Sequence, residues 1–164
     1  RSLLVEAPRE NRTFEVEASS KQLFETHIDS SEWGLEWMPE GTLADGAFKR
    51  VTTSLLDDGW VGLQMKSTLG AKRQASGMYR FSGTQGYNGL LVCCVALDKA
   101  LLWAIPGDDV KVQCLTISMG GKWDQFRCCW SKLSDVLHYA WEQRNVFPRQ
   151  PLACFQLPRN TMQQ

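Results

Sequence analysis

The spacing of apolar residues predicts a helix near each end of the chain. Between residues 14 and 29, apolar side chains recur at helical intervals. Thr13 is the predicted N-cap of this first helix, because its hydroxyl suits the unpaired N–H groups of a first turn. A second helix is predicted to begin at Ser131 or Ser134 and to run through Gln143, since the apolar residues of that stretch gather on one face.

Between the two helices, short apolar or alternating segments separated by turn residues predict strands. They cover residues 34–38, 42–56, 60–68, 90–97, 100–105 and 110–118. In the third strand Val61, Leu63 and Met65 face one way, whereas Gln64 and Lys66 face the other. The run 90–97 is apolar throughout, as in a strand buried on both faces.

Two segments lack such a pattern. Residues 70–89 contain five glycines and are predicted to be mostly loop, and the tail over 147–164 contains three prolines and is predicted to be irregular. The order of helix, strands and helix predicts one domain over residues 1–164, with a core over about 14–143 built around a mixed sheet.

Composition and charge narrow the classes of protein. Of 164 residues, 43% are hydrophobic, which is enough for a packed core, but no apolar run has the length of a membrane-spanning helix. Eighteen basic and eighteen acidic residues exclude a globally basic DNA binder, although they allow a local basic patch. The six cysteines show no CxxC spacing, which predicts reduced thiols and a reducing compartment, nucleus or cytoplasm.

One set of polar residues is predicted to converge. Gln64 and Lys66 share a strand face, and Asp45 begins the preceding strand, which the turn at 57–59 folds back. Asp45, the Gln64 side-chain oxygen and the Met65 carbonyl are suitable ligands for Mg²⁺ or Mn²⁺. Lys66 would then orient or deprotonate an attacking water, or neutralise charge on a pentacoordinate phosphate. The structural alternative is an ordinary polar strand face beside an Asp-Gly turn.

The sequence LADGAFKR at 43–50, followed by WVGLQMKST at 60–68, resembles the core of the restriction-endonuclease-like PD-(D/E)xK superfamily, in the branch where Gln gives QxK. YNGLLVCCVAL at 87–97 and LLWAIPG at 101–107 are similar to the two strands that follow in those nucleases. The resemblance covers about residues 14–110. It departs from the family in having Ala44 instead of proline before Asp45, and a loop over 70–89 where the family has a helix.

The resemblance implies an α/β fold with a restriction-endonuclease-like core, a mixed β-sheet flanked by helices. It implies that Asp45 and Gln64 bind metal, that Lys66 is catalytic and that DNA is the substrate. The family also has a helical acid. Glu17 lies about 50° from the centre of the apolar face of the first helix and Glu25 about 130° away, so Glu17 is the preferred catalytic acid.

Five basic residues flank the predicted site in sequence, where they would hold phosphates or simply be solvated: Lys49, Arg50, Lys72, Arg73 and Arg80. The sequence therefore predicts a divalent-metal-dependent DNA endonuclease. One alternative is a catalytically inactive nuclease-fold module that binds nucleic acid or a protein partner. Another is a purely structural interaction domain. Because cutting both strands commonly needs two active sites, a homodimer is one arrangement compatible with the nuclease prediction.

Overall fold

The computed structural model of this protein describes residues 9–51, 59–71 and 77–159, with side chains from residue 15 onward. Within these residues the helices are α1 Arg9–His27, α2 Leu133–Glu142 and α3 Leu152–Phe155. The strands are β1 Trp33–Trp37, β2 Gly46–Arg50, β3 Val61–Thr68, β4 Met78–Ser82, β5 Leu91–Ala96, β6 Leu101–Pro106, β7 Cys114–Ser118 and β8 Arg127–Cys128. Short 3₁₀ turns lie at Gly107–Asp109, Lys122–Phe126 and Trp130–Lys132.

Six of the strands form one mixed sheet in the order β1-β2-β3-β5-β6-β8. β3 and β5 run parallel, and the other neighbouring pairs are antiparallel. β4 and β7 form a separate two-stranded antiparallel sheet. The predicted α/β class with a mixed sheet and flanking helices is confirmed.

The main sheet carries a hydrophobic cluster on each face. On one face, which we call the helix side, Phe24 of α1 and Leu137 of α2 pack with Leu63. On the other face, the second-sheet side, residues of β4, β7 and α3 pack over the sheet. Cys93 and Cys94 belong to opposite clusters, and every residue of β5 is buried. The apolar run of β5 was thus correctly interpreted as a strand covered on both faces.

Both predicted helix caps are wrong. α1 begins at Arg9, so Thr13 lies inside the helix, because the charged and polar residues 9–12 are compatible with a helix and contain no proline or glycine. α2 begins at Leu133 after a 3₁₀ turn, with Lys132 at the N-cap position. Ser134 instead donates a hydrogen bond to Glu32 (2.9 Å), so its hydroxyl connects the helix to the sheet.

Three other elements differ from prediction. The segment 70–89 contains β4, because its glycines stand at the ends of a short alternating stretch in which Tyr79 and Phe81 are buried. β7 pairs with β4 and is not an edge strand of the main sheet. The tail includes α3, which buries Phe155. The predicted strand over 42–56 is shorter, and residues 52–58, with most of the predicted turn, lie outside the described residues.

Within the described part of the chain, no helix is both long enough and apolar enough to cross a bilayer.

Candidate active site

Pairing between β2 and β3 brings Asp45 beside Gln64. Gly46 lies opposite Leu63 in this antiparallel pair, and the Asp45 N–H donates to the Leu63 carbonyl at 3.0 Å. Further along β3, the Asp45 carboxylate takes the place of a backbone carbonyl as acceptor, since its Oδ2 accepts the Met65 N–H at 2.8 Å. Asp45 therefore contacts β3 at the residue between Gln64 and Lys66. The structure thus brings the Asp45 carboxylate to the backbone of β3 between Gln64 and Lys66, and the charge of Lys66 acts on that carboxylate.

The Asp45 carboxylate is half-buried and surrounded by positive charge. Burial raises its pKa, and the Met65 N–H bond together with the charges of Lys21, Lys66 and Arg159 opposes that rise. These three cations come from α1, β3 and the C-terminal segment. Of these cations only Lys66 was predictable from the sequence, because Lys21 and Arg159 reach the site through contacts between distant parts of the chain.

Gln64 is buried, with 6% of its surface exposed, and its Oε1 atom accepts no hydrogen bond from any described residue. Leaving a buried acceptor unpaired costs about 1–3 kcal/mol. A side-chain amide oxygen and the carboxylate of Asp45, which precedes the neighbouring strand, are both ligands of the kind that a hard divalent cation takes. Among the described residues, no group of three or more His, Cys, Asp or Glu side chains is placed to hold a metal. An ion at this site would therefore depend on Gln64 and on backbone or water oxygens.

Lys66 lies on the second-sheet side and contacts Tyr87. Its Nζ donates to the Tyr87 hydroxyl at 3.2 Å. Tyr87 is 1% exposed, and Gly107 approaches its carbonyl so closely that a Cβ there would lie 1.9 Å from that oxygen. The sequence did not predict Tyr87 as a site residue. The local patterns that could have indicated it are its position just before the apolar run of β5 and the Ile-Pro-Gly pattern at the end of β6.

The predicted helical acids do not both face the site. Glu17 is exposed and lies one helical turn before Lys21, on the same side of α1 as this neighbour of Asp45. Glu25 accepts a hydrogen bond from the Trp37 indole N–H. Glu15, which was not predicted to be the helical acid, has a buried Oε2 with no hydrogen bond from any described residue, but it lies about 120° around the helix from Lys21. The placement of Glu17 remains compatible with its predicted role.

The predicted basic residues are dispersed. Lys49 Nζ lies 4.9 Å from the centre of the Trp60 ring, and Arg50 forms an ion pair with Glu142 of α2 at 3.8 Å. Arg80 is exposed on β4, next to the inward-facing Tyr79 and Phe81, and its Nε donates to Cys114 Sγ at 2.8 Å. Lys72 and Arg73 lie outside the described residues. None of the three described side chains is among the charged groups that act on Asp45.

Comparison of the sequence with protein-family models and with curated proteins gives no match. Among solved structures, this protein is similar to a bacterial homing endonuclease, I-Ssp6803I, with a TM-score of 0.51 and 12% sequence identity. The match covers 80% of this chain and 93% of the homing endonuclease chain. At this identity the likeness concerns the fold alone: the mixed sheet with its flanking helices is similar in architecture to that homing endonuclease.

Proposed function

We propose that this protein is a divalent-metal-dependent endonuclease that hydrolyses phosphodiester bonds in DNA. The observation that carries the proposal is the bond from the Met65 N–H to the Asp45 carboxylate, which places this acid beside β3 between Gln64, whose Oε1 is unpaired among the described residues, and Lys66. An acid, a neutral oxygen donor and an amine in this spacing correspond to the QxK branch of the PD-(D/E)xK nucleases that the sequence resembles. The endonuclease-like fold supports the same assignment.

The chemistry divides between the oxygen ligands and the amine. Asp45, Gln64 and the Met65 carbonyl would hold Mg²⁺ or Mn²⁺, and Glu17 is the proposed helical acid of the site. A bound divalent ion supplies positive charge to the scissile phosphate. Lys66, held on a rigid strand by its bond to Tyr87, then orients or deprotonates the attacking water, or offsets the charge that builds on the phosphate.

Charge and fold support DNA as the proposed substrate. Lys21 and Lys66 lie around one carboxylate, so the site keeps net positive charge beside Asp45 and suits the phosphate backbone. The similar solved structure is a homing endonuclease by its title. Lys49, Lys72 and Arg73 remain proposed contacts to DNA outside the immediate site, whereas Arg50 and Arg80 are weaker candidates because of the partners they have.

A second function is a nuclease-fold module that binds nucleic acid without cutting it. The observation in its favour is that, among the described residues, no group of three or more His, Cys, Asp or Glu side chains is placed to hold a metal. With a neutral Gln in the second position, metal affinity depends on few charges. The two functions share the fold and the positive site, and they differ in whether metal ions support cleavage.

Nicking of supercoiled plasmid tests the proposal. The wild-type protein is incubated with Mg²⁺, with Mn²⁺ or with EDTA, and relaxed and linear products are quantified. We expect cleavage that requires the divalent ion and is lost in Asp45→Asn. Asp135→Asn on α2 is the matched control, because Asp135 is exposed on the other side of the sheet, and it should cut normally. Retarded DNA without cleavage at any metal concentration would contradict the nuclease proposal and favour the binding module.

A further inference from the structure

The C-terminal segment packs against the loop that leads into Asp45. Trp60 and Gln150 exchange backbone hydrogen bonds at 2.8 and 3.0 Å, which joins the start of the segment to the start of β3. Further along, the Leu157 carbonyl accepts the Leu43 N–H at 3.1 Å, two residues before Asp45. These bonds fix the end of the described chain beside the candidate active site.

Arg159 is the side chain that this segment brings to the site. The backbone N–H of Arg159 donates to the Gly41 carbonyl at 3.3 Å, and the guanidinium carbon of its side chain lies 5.2 Å from the centre of the Tyr87 ring. The same ring receives Lys66 at its hydroxyl. One buried tyrosine therefore contacts two cations that are far apart in sequence, and a guanidinium placed over an aromatic ring keeps N–H groups that can bind a ligand.

The charges around this ring are not balanced by acids. No described carboxylate forms an ion pair with Arg159 or Lys66 within salt-bridge distance. Asp45 is the acid whose ionisation both cations influence. Two positive groups with one carboxylate leave an excess of positive charge, which suits an anion. A planar guanidinium with five donors matches two oxygens of one phosphate better than an ammonium does.

We propose that Arg159 is a phosphate-binding residue of this site. The C-terminal segment places Arg159 there, Tyr87 orients its guanidinium, and the guanidinium binds a backbone phosphate of the DNA beside Asp45 and Lys66. This inference rests on the proposed function, because it takes DNA as the ligand. It assigns to the tail, which the sequence predicts to be irregular, a direct part in substrate binding.

Equilibrium binding of a short DNA duplex at several salt concentrations, with Ca²⁺ in place of Mg²⁺, tests the inference. We expect Arg159→Ala to weaken binding about tenfold at low salt, as for the loss of a charge-assisted hydrogen bond. It should also reduce the slope of log affinity against log salt by about one, since one phosphate contact is lost. Arg159→Lys keeps the charge and should keep the slope, with an intermediate affinity.

Lys132→Ala is the control, because Lys132 is an exposed cation next to α2 and should leave the slope unchanged. Urea unfolding midpoints establish that each variant is folded. Wild-type slope and affinity in Arg159→Ala would overturn the assignment of Arg159 while leaving the nuclease proposal intact. The expected loss in Arg159→Ala, in a protein that binds DNA but never cuts it, would support the phosphate site and contradict the nuclease proposal. A wild-type protein that binds no duplex would overturn both.

Discussion

Replacing Gln64 by methionine separates a functional from a structural role for this residue. Methionine has nearly the same volume and is unbranched, so Gln64→Met neither opens a cavity nor overpacks the sheet. The change removes Oε1, a buried acceptor that no described residue satisfies. If Gln64 has a structural role, its replacement should lower the free energy of unfolding. If Gln64 binds a ligand at the expense of stability, its replacement should raise the free energy of unfolding.

The magnitude follows from that unpaired oxygen. A buried acceptor without a partner costs about 1–3 kcal/mol, and the low end of this range predicts that Gln64→Met raises the free energy of unfolding by about 1 kcal/mol. For a domain of this size, that corresponds to an increase in Tm of about 2–4 °C. Metal-dependent cleavage should be lost in the same variant, because the thioether is a poor ligand for Mg²⁺.

The free energy of unfolding of the wild type and Gln64→Met is measured by urea unfolding in metal-free buffer with linear extrapolation. Metal-dependent cleavage is measured by plasmid nicking. Gln22→Met is the matched control, since Gln22 is exposed on α1 and its replacement should change stability by less than about 0.5 kcal/mol. A Gln64→Met protein that is less stable than the wild type would refute the reasoning, because the amide would then hold the fold together.

Three further predictions concern the groups around Gln64. Gly107→Ala places a Cβ 1.9 Å from the Tyr87 carbonyl oxygen, so we expect a loss of about 3 kcal/mol of stability together with reduced cleavage; unchanged urea unfolding would contradict this close approach. Burial raises the pKa of Asp45 in the folded protein above 3.8, its value in the unfolded chain. The contribution of Asp45 to the free energy of unfolding is therefore fully present below the unfolded pKa and is lost as pH rises through the folded pKa. Asp45→Asn should therefore gain stability relative to the wild type as pH rises from about 4 to 7, and a difference independent of pH would contradict the desolvation argument. Tyr87→Phe should slow single-turnover cleavage about tenfold in the wild type and not at all in Lys66→Ala, whereas additive effects would show that Tyr87 does not act through Lys66.

The parts of the fold that the sequence predicted best are those governed by local periodicity. The alternation along β3 placed Gln64 and Lys66 on one face, and the apolar run of β5 indicated a strand buried on both faces. The placement of Asp45 was predictable for a related reason: it directly precedes β2, which pairs antiparallel with β3, the strand that carries Lys66. A register argument over so short a distance needs no knowledge of the rest of the fold.

What the sequence did not predict depends on distant contacts. β4 was hidden among glycines, and its pairing with β7 brings together segments separated by more than thirty residues. Tyr87 and Arg159 join the site only because the close approach of Gly107 fixes one and the backbone bonds of the C-terminal segment fix the other. Closeness in sequence to the site did not predict which basic residues lie beside Asp45, since the side chain of Arg50 contacts α2 instead.

The central claim is that Lys66 acts in the chemical step of a metal-dependent DNA cleavage. Single-turnover cleavage and equilibrium DNA binding, measured together for the wild type and Lys66→Ala with Mg²⁺ or Mn²⁺ in the cleavage assay, test it most directly. We predict that Lys66→Ala lowers the cleavage rate on the order of 10²–10⁴-fold, as for the loss of a positioned proton-transfer group, with DNA affinity close to the wild type. Cleavage by Lys66→Ala at the wild-type rate would contradict the mechanism.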